Sequence, residues 1–196
     1  MYGRQLLVFL SLVSCGSCFL THHTFSFQNC GDNNTDYIHV TNFDILPKPI
    51  TVPGILNVTI TGDVRKSLGN DSRLNVTIEK KLLGRWTKVP CVSSVGSCIY
   101  DNPCEFVQVF AAKGGKCPDA FVNNGIPCTC PFNPSQLSMP YSIFNISSIR
   151  DSFQWLVDGD FRFTVNVLKD TQNVGCFTTT MTMKRSDHHH SGFLFS

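Results

Sequence analysis

The sequence predicts an all-β fold: two antiparallel sheets or a flattened barrel, with a loop-rich, disulfide-linked region in the middle. Three observations carry this. Several segments alternate apolar and polar residues with a period of two, as strands buried on one face do. No segment keeps a long helical period. Beyond residue 18 there are eight cysteines, six of them between Cys91 and Cys130, in a stretch broken by Pro103, Gly114-Gly115, Pro118, Gly125, Pro127, Pro131 and Pro134.

The first strand is expected at 37–45, where β-forming residues dominate before Pro47 and Pro49 interrupt. The next, 50–61, sets Leu56, Val58 and Ile60 against Asn57, Thr59 and Thr61. Segment 74–79 repeats the pattern, with Leu74, Val76 and Ile78 apolar. Later, Phe161, Phe163, Val165 and Val167 alternate with Arg162, Thr164 and Asn166; a turn near 173–175 then leads into a last strand at 177–183. A short turn of helix is expected near 148–156. Segments 139–146 and 149–156 read as loops, because Pro140 breaks them and Asn145 is a glycan acceptor, yet they hold Met139, Ile143, Phe144, Ile146, Phe153, Trp155 and Leu156. Such residues either cap the core or form the mouth of an apolar cavity or a patch that meets lipid.

The chain has 196 residues, 42% hydrophobic and 15% charged, with a net charge of +2. That length suits one domain, the composition excludes intrinsic disorder, and the charge is too small to argue for nucleic acid. The longest apolar run, 6–13, is far short of the ~20 residues of a spanning helix. Behind Arg4 it has the layout of a secretory signal peptide, assigned to residues 1–18. Removing 18 residues leaves an even number of cysteines, whereas a cut after Gly16 leaves nine. The domain is assigned to 19–186 and a tail to 187–196. Asn-x-Ser/Thr acceptors at Asn33, Asn57, Asn70, Asn75 and Asn145 fit a glycosylated chain of the secretory pathway, lysosomal or extracellular. Asn57 and Asn75 fall on the polar faces of their strands, where a glycan must point.

In that compartment Cys30, Cys91, Cys98, Cys104, Cys117, Cys128, Cys130 and Cys176 are expected to be disulfides and not zinc thiolates, since no paired C-x-x-C occurs. Spacing leaves 105 pairings open. Chemistry is absent: there is no Gly-x-Ser-x-Gly, no His-Glu-x-x-His and no phosphate loop. Of the six histidines only His39 sits in an expected strand, so no catalytic pair, metal or cofactor is indicated, and Glu79, Glu105, Asp158 and Asp160 are not placed around a sugar by any pattern.

The segments Ile78-Glu79-Lys80-Lys81, Gly84-Arg85-Trp86-Thr87-Lys88-Val89-Pro90-Cys91, Gly96-Ser97-Cys98 and Cys104 resemble the ganglioside GM2 activator family of the ML lipid-recognition group. So do Gly125-Ile126-Pro127-Cys128-Thr129-Cys130-Pro131-Phe132, Trp155-Leu156 with Gly159, Asn29-Cys30 and Gly175-Cys176, over about residues 24–184. The resemblance implies a β-cup, two antiparallel sheets enclosing an apolar pocket. It implies the disulfides Cys30–Cys176, Cys91–Cys98, Cys104–Cys130 and Cys117–Cys128. It also implies a non-enzyme that lifts glycosphingolipid from a membrane surface and presents it to a lysosomal β-hexosaminidase. On this reading Leu74, Val76, Ile78, Phe161, Phe163, Val165 and Val167 form the lipid wall. Ile143, Phe144, Phe153 and Trp155, within the family's mouth loop at 138–155, dock at the membrane interface, and Met139, Ile146 and Leu156 are further lipid-binding residues in or beside that loop. The alternative is an extracellular ML-type carrier of sterol, fatty acid or phospholipid with no enzyme partner. Tail 187–196 has no counterpart in the family.

Overall fold

The computed structural model describes residues 25–102, 116–146 and 157–186. The signal segment, the tail, the helical turn expected near 148–156, Cys104, Phe153, Trp155 and Leu156 lie outside the described residues. The chain folds as the sequence predicts, into β-structure in two sheets. In order come β1 (Phe25–Asn29), β2 (Ile38–Leu46), β3 (Ile50–Val52), β4 (Gly54–Val64), β5 (Ser72–Leu82), β6 (Arg85–Lys88), β7 (Ile99–Tyr100), a helix α1 (Asp119–Asn123), β8 (Ser135–Ile146), β9 (Gly159–Lys169) and β10 (Gln172–Arg185). The larger sheet runs β1-β10-β9-β5-β6, with β3 on β10 and β7 on β5; the smaller runs β2-β4-β8. Pairing is antiparallel throughout except between β3 and β10.

Three expectations are corrected. The strand expected at 50–61 is two, parted at Pro53: β3 joins β10 in the larger sheet and β4 lies between β2 and β8 in the smaller. Segment 139–146 is not a loop but most of β8, paired along its length with β4. Pro140 is tolerated because β8 lies at the end of its sheet and the register slips beside it: Met139 pairs Ile60, Ser142 pairs Val58, and Pro140 with Tyr141 bulges out between them. Tyr141 takes φ 30° there. The final turn is not at 173–175 either. It falls at Asp170-Thr171, with Asp170 at φ 53°, and the shift between Asn173 and Gly175 is a bulge within β10. A further bulge lies between Val40 and Asn42 in β2.

The core is in two clusters. One gathers Ile45, Ile50, Val52, Leu56, Val157 and Met181; the other gathers Leu68, Leu74, Val76, Val167 and Val174. They sit toward opposite ends of the strands: β9 sends Phe163 to the first and Val165 and Val167 to the second, and β10 sends Met181 to the first and Val174 and Phe177 to the second.

Three expected disulfides are present, Cys30–Cys176, Cys91–Cys98 and Cys117–Cys128. Cys130 is disulfide-bonded too, and its expected partner Cys104 lies outside the described residues. The Cys91–Cys98 loop is stitched to β5. The Ser97 hydroxyl donates to the Ile78 carbonyl at 3.1 Å and accepts from the Ile78 N–H at 3.0 Å, and Val76 N–H donates to the Cys98 carbonyl at 2.9 Å. Within this loop Gly96 holds φ 105°, and a Cβ there would collide with the Pro90 carbonyl. Gly96→Ala is therefore expected to destabilise the fold by about 1–3 kcal/mol, read as a lowered urea midpoint; a midpoint at the wild-type value would show that the loop relaxes freely.

Candidate lipid-binding site

The inner face of the larger sheet is built from register. Leu74 pairs Val167, Val76 pairs Val165, Ile78 pairs Phe163 and Lys80 pairs Phe161. Across β9, Val165 meets Phe177 and Phe161 meets Met181 on β10. The smaller sheet faces them with Leu56 and Val58 from β4 and with Phe144 and Ile146 from β8, all but the buried Leu56 packed as half-buried groups against the first cluster.

Burial along these strands runs opposite to that of a filled sandwich. Between Leu56 and Gly62 in β4, and between Phe161 and Val167 in β9, no residue is buried, although the flanking ones are. Interiors packed like organic crystals leave mid-strand inward side chains driest. Here Val58, Ile60, Phe163, Val165, Ile78 and Phe177 are partly accessible instead. The two clusters close the ends of the strands, and the apolar side chains that join them at mid-strand stay partly reachable by solvent.

The sequence-assigned residues divide accordingly. Ile78, Phe163 and Val165 line the accessible middle, while Leu74, Val76, Val167 and Phe161 (2% exposed) are buried at its ends. Phe144 and Ile146 point inward. Met139 is 3% exposed, so it is a core residue and does not sit at a surface mouth. Ile143, at 67% exposure, is on the opposite, outer face of β8, because inward and outward positions alternate. The inward residues Val58, Ile60 and Phe177 were not assigned to the site from sequence, although the period-two pattern that carries Val58 and Ile60 was legible. Helix α1 was missed as well. It packs on β8 through the Phe121 and Phe144 rings, 5.9 Å apart, and through Asn124 Nδ2–H donating to Ser142 Oγ at 3.2 Å.

At the Phe161 end the rim is charged. Lys80 Nζ stands 5.5 Å from the centre of the Phe161 ring. On the outside, Trp86 is flanked by Lys81 and Arg162, whose charged groups lie 5.8 and 4.7 Å from its ring. The β5–β6 hairpin ends in the exposed Leu82 and Leu83. Arg162 Nε–H donates to the Glu79 carboxylate at 2.6 Å, and this bond holds the Glu79 carboxyl below its usual range. A carboxyl with a lowered folded pKa adds stability that is present above its unfolded pKa and fades as pH falls through the folded value. The pair, 36% and 21% exposed, is a surface bridge worth at most about 1 kcal/mol. Glu79→Gln is expected to lower the melting temperature slightly at neutral pH, and the gap should close once the medium is acid enough to protonate Glu79 in the fold. A gap that persists unchanged into strong acid would show that packing, not charge, is lost. Asp36 responds in the opposite sense: burial raises its carboxyl, so the cost of its charge is relieved as pH falls.

Among the described residues no cluster of His, Cys, Asp or Glu could hold a metal ion, and no helix is long and apolar enough to cross a membrane. The ML domain matches residues 24–183. The chain is 32% identical over 160 residues to the mouse (Mus musculus) ganglioside GM2 activator, covering 82% of each protein. It is 28% identical over 161 residues to the macaque (Macaca fascicularis) ganglioside GM2 activator, covering 82% of this chain and 84% of that one. With its two sheets, its cross-links and these matches, the chain belongs to the ML-domain family, as an activator-like lipid-binding protein.

Proposed function

We propose that this chain is a non-catalytic lipid-transfer protein of the secretory pathway, lysosomal or extracellular. It takes up the hydrocarbon of a glycosphingolipid between its sheets and leaves the sugar head outside for a β-hexosaminidase. The observation that supports this best is the reversed burial, with partly accessible apolar residues at mid-strand between two dry clusters. An acyl chain in a bilayer is already hidden from water, at a value of about 0.8 kcal/mol per CH₂. A protein that removes it must return nearly all of that, which calls for a continuous apolar wall. Ile78, Phe163, Val165, Val58 and Phe177 are of the right kind and position for one. Phe153 and Trp155 are proposed to dock at the membrane interface, where aromatic rings are favoured.

The experiment is uptake from vesicles containing glycolipid, sterol or plain phospholipid, followed by addition to purified β-hexosaminidase with micellar glycolipid. Uptake that depends on the sugar head, with faster turnover of the lipid substrate, supports this function. Uptake indifferent to the head, with turnover unchanged, means a general lipid carrier, and release of product by this chain alone would make it an enzyme. Phe163→Asn, which sets an amide into the proposed wall without emptying a dry cluster, is expected to reduce uptake severalfold while the melting temperature falls far less than for a core substitution. Full uptake by this variant would remove Phe163 from the wall.

A further inference from the structure

The outer face of the three-stranded sheet carries an apolar patch for which the lipid site has no use. In register, β4 and β8 pair Ile55 with Asn145 and Asn57 with Ile143, so two isoleucines and two asparagines alternate like a checkerboard. Ile55 is 61% exposed, Ile143 67% and Tyr141, at the adjoining bulge, 74%. Among the described residues β8 pairs only with β4, so these side chains lie beside a sheet edge. An apolar face at an edge strand invites association with another chain.

Both asparagines open acceptor triplets, Asn57-Val58-Thr59 and Asn145-Ile146-Ser147. Both point outward, because the residue that follows each of them, Val58 and Ile146, packs inward against the first cluster and successive residues of a strand alternate in side. They are diagonal neighbours on adjacent strands, a relation that sets positions about 7–8 Å apart. We propose that Asn57 and Asn145 both carry N-linked glycans, which together cover Ile55, Tyr141 and Ile143, so that this face is shielded by sugar and docks neither protein nor bilayer. In the modification the Asn Nδ2 attacks C1 of the N-acetylglucosamine of a polyprenyl-pyrophosphate-linked oligosaccharide. The C1–N bond forms as the C1–O bond breaks, the lipid pyrophosphate leaves with the electron pair, and the amide proton passes to a base of the transferase. This inference does not depend on which lipid the interior takes.

The test is expression of the full chain in a eukaryotic secretory host, with glycopeptide mass spectrometry at both sites. Occupancy of both is expected, and an unmodified Asn57 or Asn145 in the secreted protein overturns the proposal. Trimming the glycans of the folded protein with an endoglycosidase that leaves one sugar per site avoids any failure to fold without them. The trimmed protein is expected to self-associate, read as a severalfold loss of monomer in sedimentation velocity. The same trimming applied to a chain carrying Ile55→Ser, Tyr141→Ser and Ile143→Ser should leave it monomeric. If the trimmed wild-type chain stays monomeric at high concentration, or if the triple variant associates as readily, the shield is refuted.

Discussion

Cys176→Ser is expected to cost the fold about 5 kcal/mol. The Cys30–Cys176 bridge joins residues 146 apart in sequence, and the loop entropy a cross-link removes from the unfolded chain grows with that separation. The bridge also fastens an edge. Among the described residues β1 pairs only with β10, and just beyond it Cys30 N–H donates to the Cys176 carbonyl at 2.8 Å. Without the sulfur link, β1 is held by its short ladder, by Phe25 and Phe27 against Phe43, at 6.1 and 5.3 Å between ring centres, and by the Asn29 amide, which donates to the Val40 carbonyl at 2.7 Å and accepts from the Val40 N–H at 3.2 Å. Urea denaturation of the single variant and of the double Cys30→Ser, Cys176→Ser variant measures the effect. Equal losses in the two assign it to the bridge, and a wild-type midpoint in the double variant would show that the cross-link adds nothing.

Phe161→Ala is the second large effect, expected at about 3–5 kcal/mol. Phe161 is 2% exposed, its Cα partners are Lys80 and Met181, and its ring lies 6.2 Å from that of Phe163. Removing it opens a cavity among groups held by two neighbouring strands, which cannot close by a small shift. At about 2–4 °C per kcal/mol for a domain of this size, the melting temperature should fall by roughly 10 °C. Phe163→Ala should lower it less, since Phe163 is only partly buried in the wild-type chain and its truncation removes less dry contact. Equal falls for the two variants would mean that the middle of β9 is as dry as its end, and the lipid-binding interior would lose its main support.

Five strands could be read in the sequence, three from uninterrupted alternation and two from composition. Leu56, Val58 and Ile60, Leu74, Val76 and Ile78, and Phe161 to Val167 each keep one face apolar, and β2 and β10 are rich in β-formers. β8 escaped because its bulge reverses parity. Leu137 and Met139 precede Pro140-Tyr141, after which the inward positions become Ser142, Phe144 and Ile146, so no single period of two spans the strand. For the same reason Asn173 and Gly175 looked like a turn, although they only kink β10. β1, β6 and β7 are too short for periodicity to register, β3 was read as the start of β4, and α1, of five residues, carries no helical repeat. The proposed lipid wall was legible as an inner face, but not the distinction between Phe161 and Phe163. Alternation says which side of a sheet a residue takes, whereas dryness depends on what the other sheet brings opposite. The disulfide pairing came from family resemblance, since spacing alone left it open.

The bulges at Val40/Asn42, Val58/Ile60 and Asn173/Gly175 bend both sheets through the backbone. A bend of that origin does not depend on how bulky the wall side chains are. Lining residues can therefore be enlarged or trimmed to suit a shorter, longer or branched guest while the vessel keeps its form, which makes this scaffold a natural starting point for redesigning cargo preference.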